Sequence, residues 1–190
     1  MINSKYPILC DYPMPIVTDR LILRPLQAGD GKIVFNAIEE SKENLSKWLP
    51  WPKYVTSWGD SERFARESYA NFLLRKSCNL GVFKGNDFIG VCGFNYFLWN
   101  IPSAEIGYWC RLTAQNNGYM REATTAITHY GFTVMGLKRI VITCLDENKA
   151  SIAVAERSGY QLEAKALGLM KSEQQNDLAL CRRYVMINNT

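Results

Sequence analysis

A chain of 190 residues in which 47% of the side chains are hydrophobic can bury one full core, so a single domain over 1–190, with its core at about 18–187, is expected and two large domains are not. Its 22 Lys and Arg against 18 Asp and Glu leave a net charge of +4 and a pI of 8.7, with no run of five or six like charges, too weak a basic field for a dedicated nucleic-acid protein. Six cysteines, Cys10, Cys78, Cys92, Cys110, Cys144 and Cys181, stand far apart with no C-x-x-C pair and no grouping around His129, the single histidine, which argues against a metal site.

Taken in chain order, Met1 to Tyr6 lack a basic stretch followed by an apolar core, and no apolar run approaches the about 20 residues of a membrane helix. No membrane partner is expected, and a cytoplasmic setting with reduced thiols is. Thr18-Asp19-Arg20 leads into Leu21-Ile22-Leu23-Arg24, an apolar run closed by Pro25 that predicts a first strand. Asp30 reads as an N-cap with Ile33, Val34, Ala37 and Ile38 at helical spacing behind it, a first helix over residues 30 to 40. A tryptophan-rich loop follows. From Asp60, the spacing of Phe64, Ala65, Phe72 and Leu73 predicts an amphipathic helix ending near Lys76.

Leu80 to Phe83, Phe88 to Leu98 and Ala104 to Cys110 are rich in aromatic or β-branched residues and predict an antiparallel meander, with Gly85-Asn86-Asp87 as a hairpin turn. The period then changes: Met120, Ala123, Ile127, Tyr130 and Val134 form a helical stripe ended by Gly136, and Arg139 to Cys144 returns to strand. Strand, helix, strand over this stretch is a βαβ unit with parallel strands. Asn148 can cap a short helix through Ala150, Ala153 and Val154, stopped by Gly159. Strands near Tyr160 to Glu163 and Leu178 to Ile187 complete a mixed sheet, and Asn188-Asn189-Thr190 is expected to fray.

Gln115-Asn116-Asn117-Gly118 stands where strand gives way to the long helix. The first N–H groups of a helix have no intrahelical partner and carry the positive end of its dipole, so the junction is a candidate anion cradle. Gly118 permits close approach of a ligand to the backbone, and asparagines tolerate unusual backbone angles. Alone, the four residues also suit an ordinary strand-to-helix turn.

Ala104-Glu105-Ile106-Gly107-Tyr108-Trp109, Gln115-Asn116-Asn117-Gly118-Tyr119-Met120-Arg121-Glu122-Ala123, Asn148-Lys149-Ala150-Ser151 and Arg157-Ser158-Gly159-Tyr160 resemble, in order and spacing, the successive motifs of the GNAT N-acetyltransferases. Thr18 to Arg24 and Trp48-Leu49-Pro50-Trp51-Pro52 further resemble the Rim-type branch, which includes ribosomal-protein N-terminal acetyltransferases. The resemblance covers roughly residues 18 to 187. It implies a mixed α/β (α+β) fold: a mostly antiparallel sheet of six to seven strands with a central parallel βαβ unit and helices on both faces. It also implies acetyl-CoA as cosubstrate, no metal, and direct ternary-complex transfer of an acetyl group to a primary amine, foremost a protein N-terminal α-amine. The family loop reads Q/R-x-x-G-x-G/A, commonly with a first glycine and a lysine or arginine before the second; here those places hold Asn116, Asn117 and Met120. Acetyl-CoA binding is therefore expected to persist without that cationic contact.

By the same resemblance, backbone amides over Gln115, Asn116, Asn117, Gly118, Tyr119 and Met120 hold the pyrophosphate. The main chain at Tyr108 and Cys110 pairs with pantetheine as an added strand. Asn148 contacts the pantetheine arm, and Ser151 lies by the CoA sulfur to donate to the departing thiolate. Glu105 matches the strand carboxylate that serves some members as general base, directly or through water. A backbone N–H near Tyr108 or Trp109 is the expected oxyanion donor. Trp48, Trp51 and Trp58 belong to the segment that walls the acceptor site, with Trp109 beside it. An α-amine, with a pKa of about 7.7–8.0, needs less help from a base than lysine at about 10.4.

Plainer readings stand beside these. Glu105 suits a solvated strand carboxylate, Asn148 an N-cap, Ser151 a first-turn serine, the tryptophans a packed loop, and Cys110 an inward-facing apolar thiol. Met170 occupies the place where some Rim-type members carry a carboxylate. His129 reads as structural and Arg157 as a helix-end cation. A small amine acceptor (polyamine, aminoglycoside or metabolite) and a non-catalytic CoA-binding module remain alternatives, and monomer and homodimer both stay open.

Overall fold

The computed structural model describes residues 6–172 and 177–188, so the expected fraying at residues 189 and 190, and all but Tyr6 of the opening stretch read for a leader, lie outside it. Its strands are β1 (Ile16–Val17), β2 (Ile22–Pro25), β3 (Cys78–Lys84), β4 (Asp87–Leu98), β5 (Ser103–Cys110), β6 (Arg139–Leu145), β7 (Gln161–Ser172) and β8 (Asp177–Ile187). They form one eight-stranded sheet in the order β1-β2-β3-β4-β5-β6-β8-β7. Every described pair is antiparallel except β5 with β6. The meander and the parallel βαβ unit are thus both present. The sheet exceeds the expected six to seven strands because β1 is a two-residue strand, too short to leave a period, held by the turn in which the Thr18 N–H donates to Leu21 O at 2.9 Å.

Four α-helices cover the sheet: α1 (Gly31–Ser46), α2 (Trp58–Leu73), α3 (Tyr119–Thr133) and α4 (Lys149–Arg157). Because side chains alternate along a strand, two cores form. On one face Val34, Ala37, Ile38 and Leu45 of α1 and Ala65 of α2 pack with Phe88, Val91 and Trp109. On the other, Met120, Ala123 and Ile127 of α3 and Ile152 and Ala155 of α4 pack with Cys92, Phe94, Ile106, Ile140 and Ile142.

The differences in element length have local causes. Helix α1 runs past residue 40 because Ser41 and Leu45 continue its buried stripe. The Ser41 hydroxyl, polar but buried, accepts the Leu112 N–H at 2.8 Å. Helix α2 begins two residues before Asp60, whose carboxylate accepts the Ser57 N–H at 3.0 Å, and stops at Leu73 because Arg75 turns left-handed at φ 58°. Strand β7 extends nine residues beyond Glu163, to Ser172, as an outer strand paired with β8 and broken by two register shifts. Its exposed Leu167 and Leu169 carry no burial pattern to read.

Candidate active site

The parallel pairing of β5 and β6 holds only from Ser103↔Arg139 to Glu105↔Val141. Beyond it the strands part, and residues 106 to 110 and 142 to 145 line a cleft of about 780 Å³. Each wall is stiffened from outside, β5 by β4 as far as Gly90↔Cys110 and β6 by β8 as far as Leu145↔Cys181. The facing strand edges therefore present ladder groups that an extended ligand can pair with.

At one end of the cleft a 3-10 turn, Leu112–Ala114, leads to the start of α3. Asn116 and Gly118 are both left-handed, at φ 62° and 76°. A Cβ on Gly118 would come no nearer than 3.7 Å to any atom, so glycine is required there by backbone conformation rather than by space. The Asn117 side-chain amide donates to Gln115 O at 2.8 Å and to Ala114 O at 3.3 Å, bracing the loop from within. Gln115 turns away from the loop, donating to Asn44 Oδ1 at 3.0 Å and to Cys110 O at 3.4 Å. Gln115, Asn116, Gly118, Tyr119 and Met120 all line the cleft, where the first amides of α3 are available to an anion.

Two clamps fix this loop, and both escaped the sequence reading. From the β1–β2 turn, Arg20 donates to Asn117 O at 3.1 Å and pairs with Glu122 at 2.6 Å, its guanidinium 4.8 Å from the centroid of the Tyr119 ring. Burial pushes the Glu122 carboxyl up, but hydrogen bonds from Thr18 and Arg20 outweigh it and hold it below the ordinary value. From α1, Glu40 pairs with Arg111 and accepts the Thr113 N–H at 3.0 Å; these bonds, Arg111 first, hold Glu40 down to about 2. Cations thus stand beside the helix start although Met120 is not one: Arg20, Arg121 on the cleft wall, and Lys84, which donates to the Tyr119 hydroxyl at 3.0 Å.

Further along, the Tyr108 hydroxyl lies 2.8 Å from Ser151 Oγ and donates to Ser151 O at 3.0 Å, tying β5 to α4 across the cleft. Asn148 is the N-cap of α4, its Oδ1 accepting the Ser151 N–H at 3.1 Å. Burial keeps the Tyr108 phenol protonated and raises the thiol of Cys144, which a hydrogen bond from Ser151 only partly offsets. Burial also pushes Cys110 up to about 12, so its thiol stays neutral.

Glu105 occupies the point where β5 and β6 part. Its Oε2 accepts the Tyr96 hydroxyl at 3.0 Å and the Thr143 hydroxyl at 3.4 Å. Being three residues from Tyr108 on one strand, it faces the opposite side of the sheet. The amide of Asn95 lies over the Glu105 face of β5: a Cβ on Gly107, two residues on, would meet it at 2.5 Å. Trp48 lines the cleft on the Glu105 side and packs with Met170 against Leu145 and Cys181. Trp51 does not line the cleft; it packs on Trp109 with ring centroids 5.7 Å apart. Trp109 borders the cleft, but its indole is enclosed by Phe88 and Trp51. Trp58 is exposed at the start of α2, His129 is exposed on α3, and Arg157 ends α4 at the cleft rim.

The sequence profile described as Acetyltransferase (GNAT) domain matches residues 20–161. The ribosomal-protein-serine acetyltransferase of Escherichia coli (strain K12) is 30% identical over 147 residues, covering 77% of this chain and 82% of that protein. Among solved structures, RimL, a ribosomal L7/L12 alpha-N-protein acetyltransferase in complex with coenzyme A, superposes with a TM-score of 0.86 at 26% identity, over 92% of this chain and 98% of that one. The microcin C7 self-immunity acetyltransferase MccE, in complex with acetyl-CoA and AMP, superposes with a TM-score of 0.84 at 25% identity, over 90% and 94%. With its parted parallel strands and braced helix start, the chain belongs to the GNAT acetyltransferase family, as an acetyl-CoA-dependent N-acetyltransferase.

Proposed function

We propose that this enzyme acetylates the N-terminal α-amine of a protein, a ribosomal protein being the first candidate, in the cytoplasm. The acceptor class is that of the relatives described above. The observation that carries the chemistry is Glu105, a carboxylate held by two hydroxyls where the strands part. It takes the proton of the attacking amine, directly or through water, while its partners Tyr96 and Thr143 orient it. An α-amine, already partly neutral near pH 7, needs less help from a base than a lysine side chain does.

On the other face, amides from Gln115 to Met120 hold the pyrophosphate and the main chain of Tyr108 and Cys110 aligns the pantetheine. Asn148 borders that arm while capping α4. Ser151 donates its hydroxyl proton as a hydrogen bond to the departing thiolate, and the Tyr108 phenol, kept neutral by burial, backs it. Trp48 walls the acceptor entrance; Trp51 and Trp109 support that wall from the core.

The test is thiol release from acetyl-CoA with N-terminal peptides, polyamines and aminoglycosides as acceptors. N-terminal peptides should be acetylated on the α-amine, and Glu105→Gln should lower kcat/KM by about 10²–10⁴, the usual contribution of a general base. A polyamine or aminoglycoside as the sole acceptor would replace the peptide reading. CoA binding without turnover on any amine would leave a binding module.

A further inference from the structure

Arg183 has no function in the scheme above, yet it lines the same cleft. It lies on β8 directly opposite Thr143 of β6 and Ala164 of β7. Alternation puts it on the face of Cys181, which packs with Leu145, Trp48 and Met170, the side on which Glu105 lies. Thr143 links the two, since its hydroxyl reaches Glu105 at 3.4 Å and directly opposed residues on paired strands have Cβ atoms about 4.5–5.5 Å apart.

The neighbouring arginines are neutralised. Arg182 pairs with Asp146 at 2.5 Å and Arg139 with Glu163 at 2.6 Å. Arg183 has neither a hydrogen bond nor an ion pair among the described residues, and its Nε is buried without an acceptor. Its charge reaches the Tyr96 hydroxyl and Glu163, but Glu163 is already bound by Arg139 and Glu105 by Tyr96 and Thr143. An arginine fork half-buried in a cleft with its donors unused is a site for a planar anion, because the guanidinium matches a carboxylate with two parallel bonds.

We propose that Arg183 is a specificity-determining residue that binds a carboxylate of the acceptor close to the amine being acetylated. The inference rests on the acetyl-transfer reading of this cleft. An acidic side chain in the first residues of a peptide and the α-carboxylate of a free amino acid share this chemistry, and the structure favours the peptide: Trp48, Leu169 and Met170 border the cleft beyond Arg183 and give an extended chain an apolar wall.

The experiment pairs peptides carrying Asp or Glu at the second or third position with their Asn or Gln counterparts, and free amino acids with their α-amides. Acetyl transfer is followed in the wild type, Arg183→Gln and Arg183→Lys. In parallel, calorimetry measures binding of the N-acetylated peptides to the CoA-loaded protein. The wild type should favour acidic over amide peptides by at least about tenfold in kcat/KM, chiefly through KM, with a matching gap in affinity. Arg183→Gln should bring both ratios close to one, and Arg183→Lys should restore part of them. The same pattern confined to free amino acids would assign the carboxylate to a small acceptor and overturn the peptide assignment. Equal treatment of acid and amide by the wild type, or an unchanged ratio in Arg183→Gln, overturns the proposal while leaving acetyl transfer intact. Arg183-dependent binding of acidic peptides without turnover would uphold the anion site and remove the transfer reading.

Discussion

Glu122→Gln should weaken CoA binding although the residue does not line the cleft, because it breaks the strut that holds the loop. The carboxylate accepts Thr18 Oγ1 at 2.6 Å, the Arg20 N–H at 3.1 Å and Arg20 Nε at 2.6 Å. Hydrogen bonds to a charged group contribute about 1.5–3 kcal/mol when well shielded. Here the Arg20 side chain is 45% exposed against 19% for Glu122, so the ion pair itself falls toward the surface value of about 1 kcal/mol or less. A glutamine keeps one acceptor and sets an NH₂ against a donor, which brings the expected loss to about 2 kcal/mol. At about 2–4 °C per kcal/mol for a chain of this size, the Tm should fall by about 4–8 °C.

Arg20 also donates to Asn117 O, between the two left-handed residues Asn116 and Gly118. Loosening it should cost about 1 kcal/mol of cradle order, a rise in the CoA Kd of about fivefold by calorimetry. The Glu122 carboxyl is depressed in the folded state, so its stabilisation is full above the unfolded value of about 4.3 and is lost as the pH falls through the folded one. The difference in Tm between wild type and variant should therefore be complete at about pH 6 and close below about pH 4. A Kd unchanged within about twofold alongside the expected Tm loss would refute the coupling and reduce the strut to a support of the fold.

Gly118→Val places a β-branched residue at φ 76°, a strain of about 1–2 kcal/mol that open space cannot relieve, and should raise the CoA Kd about tenfold; Gly118→Asn should do so less. Tyr108→Phe leaves Ser151 Oγ without its 2.8 Å partner, and should lower kcat about tenfold in single-turnover assays while changing the CoA Kd little. Glu40→Gln releases Arg111 and Thr113; with Glu40 at about 2 in the folded protein and 24% exposed, it should cost about 1–2 kcal/mol in urea titrations near neutral pH, a cost that shrinks below about pH 4 as the carboxyl protonates. Ile127→Ala, at a side chain with no exposure, should cost about 2–5 kcal/mol by the same titration.

What could be read in advance follows from how far apart the interacting residues stand. The stripe from Met120 to Val134 and the β-branched run from Arg139 are local signals, and α3 and β6 lie where these put them. Ser41 hid the last turns of α1 because a buried hydroxyl looks polar in a sequence, while its partner, the Leu112 N–H, stands 71 residues away. The same holds at the cradle. A missing cation at Met120 is visible locally, but Arg20 stands 97 residues before Asn117, and nothing in periodicity joins them. Thr143 and Tyr96 escaped notice as partners of Glu105 for a similar reason: one belongs to a parallel neighbour that pairs for three residues only, the other sits across a register shift in β4.

The parting of β5 and β6 explains how the two halves of the proposed chemistry can occupy opposite faces of one sheet. Two strands that stayed paired would bury every edge amide between them and close the passage from α3 to the Glu105 side. With pairing ended at Glu105↔Val141, the Tyr108 and Ser151 hydroxyls reach the gap from the face covered by α3 and α4, and Glu105 and Thr143 reach it from the other. A thioester lying along the gap would meet a proton acceptor on one side and hydroxyl donors on the other, with the sheet itself keeping them apart. The arrangement demands rigidity at the outer edges, and the structure supplies it through eight register pairs between β4 and β5 and seven between β6 and β8. Substitutions that weaken those outer ladders should therefore impair turnover before they unfold the chain, since the gap widens while both cores remain.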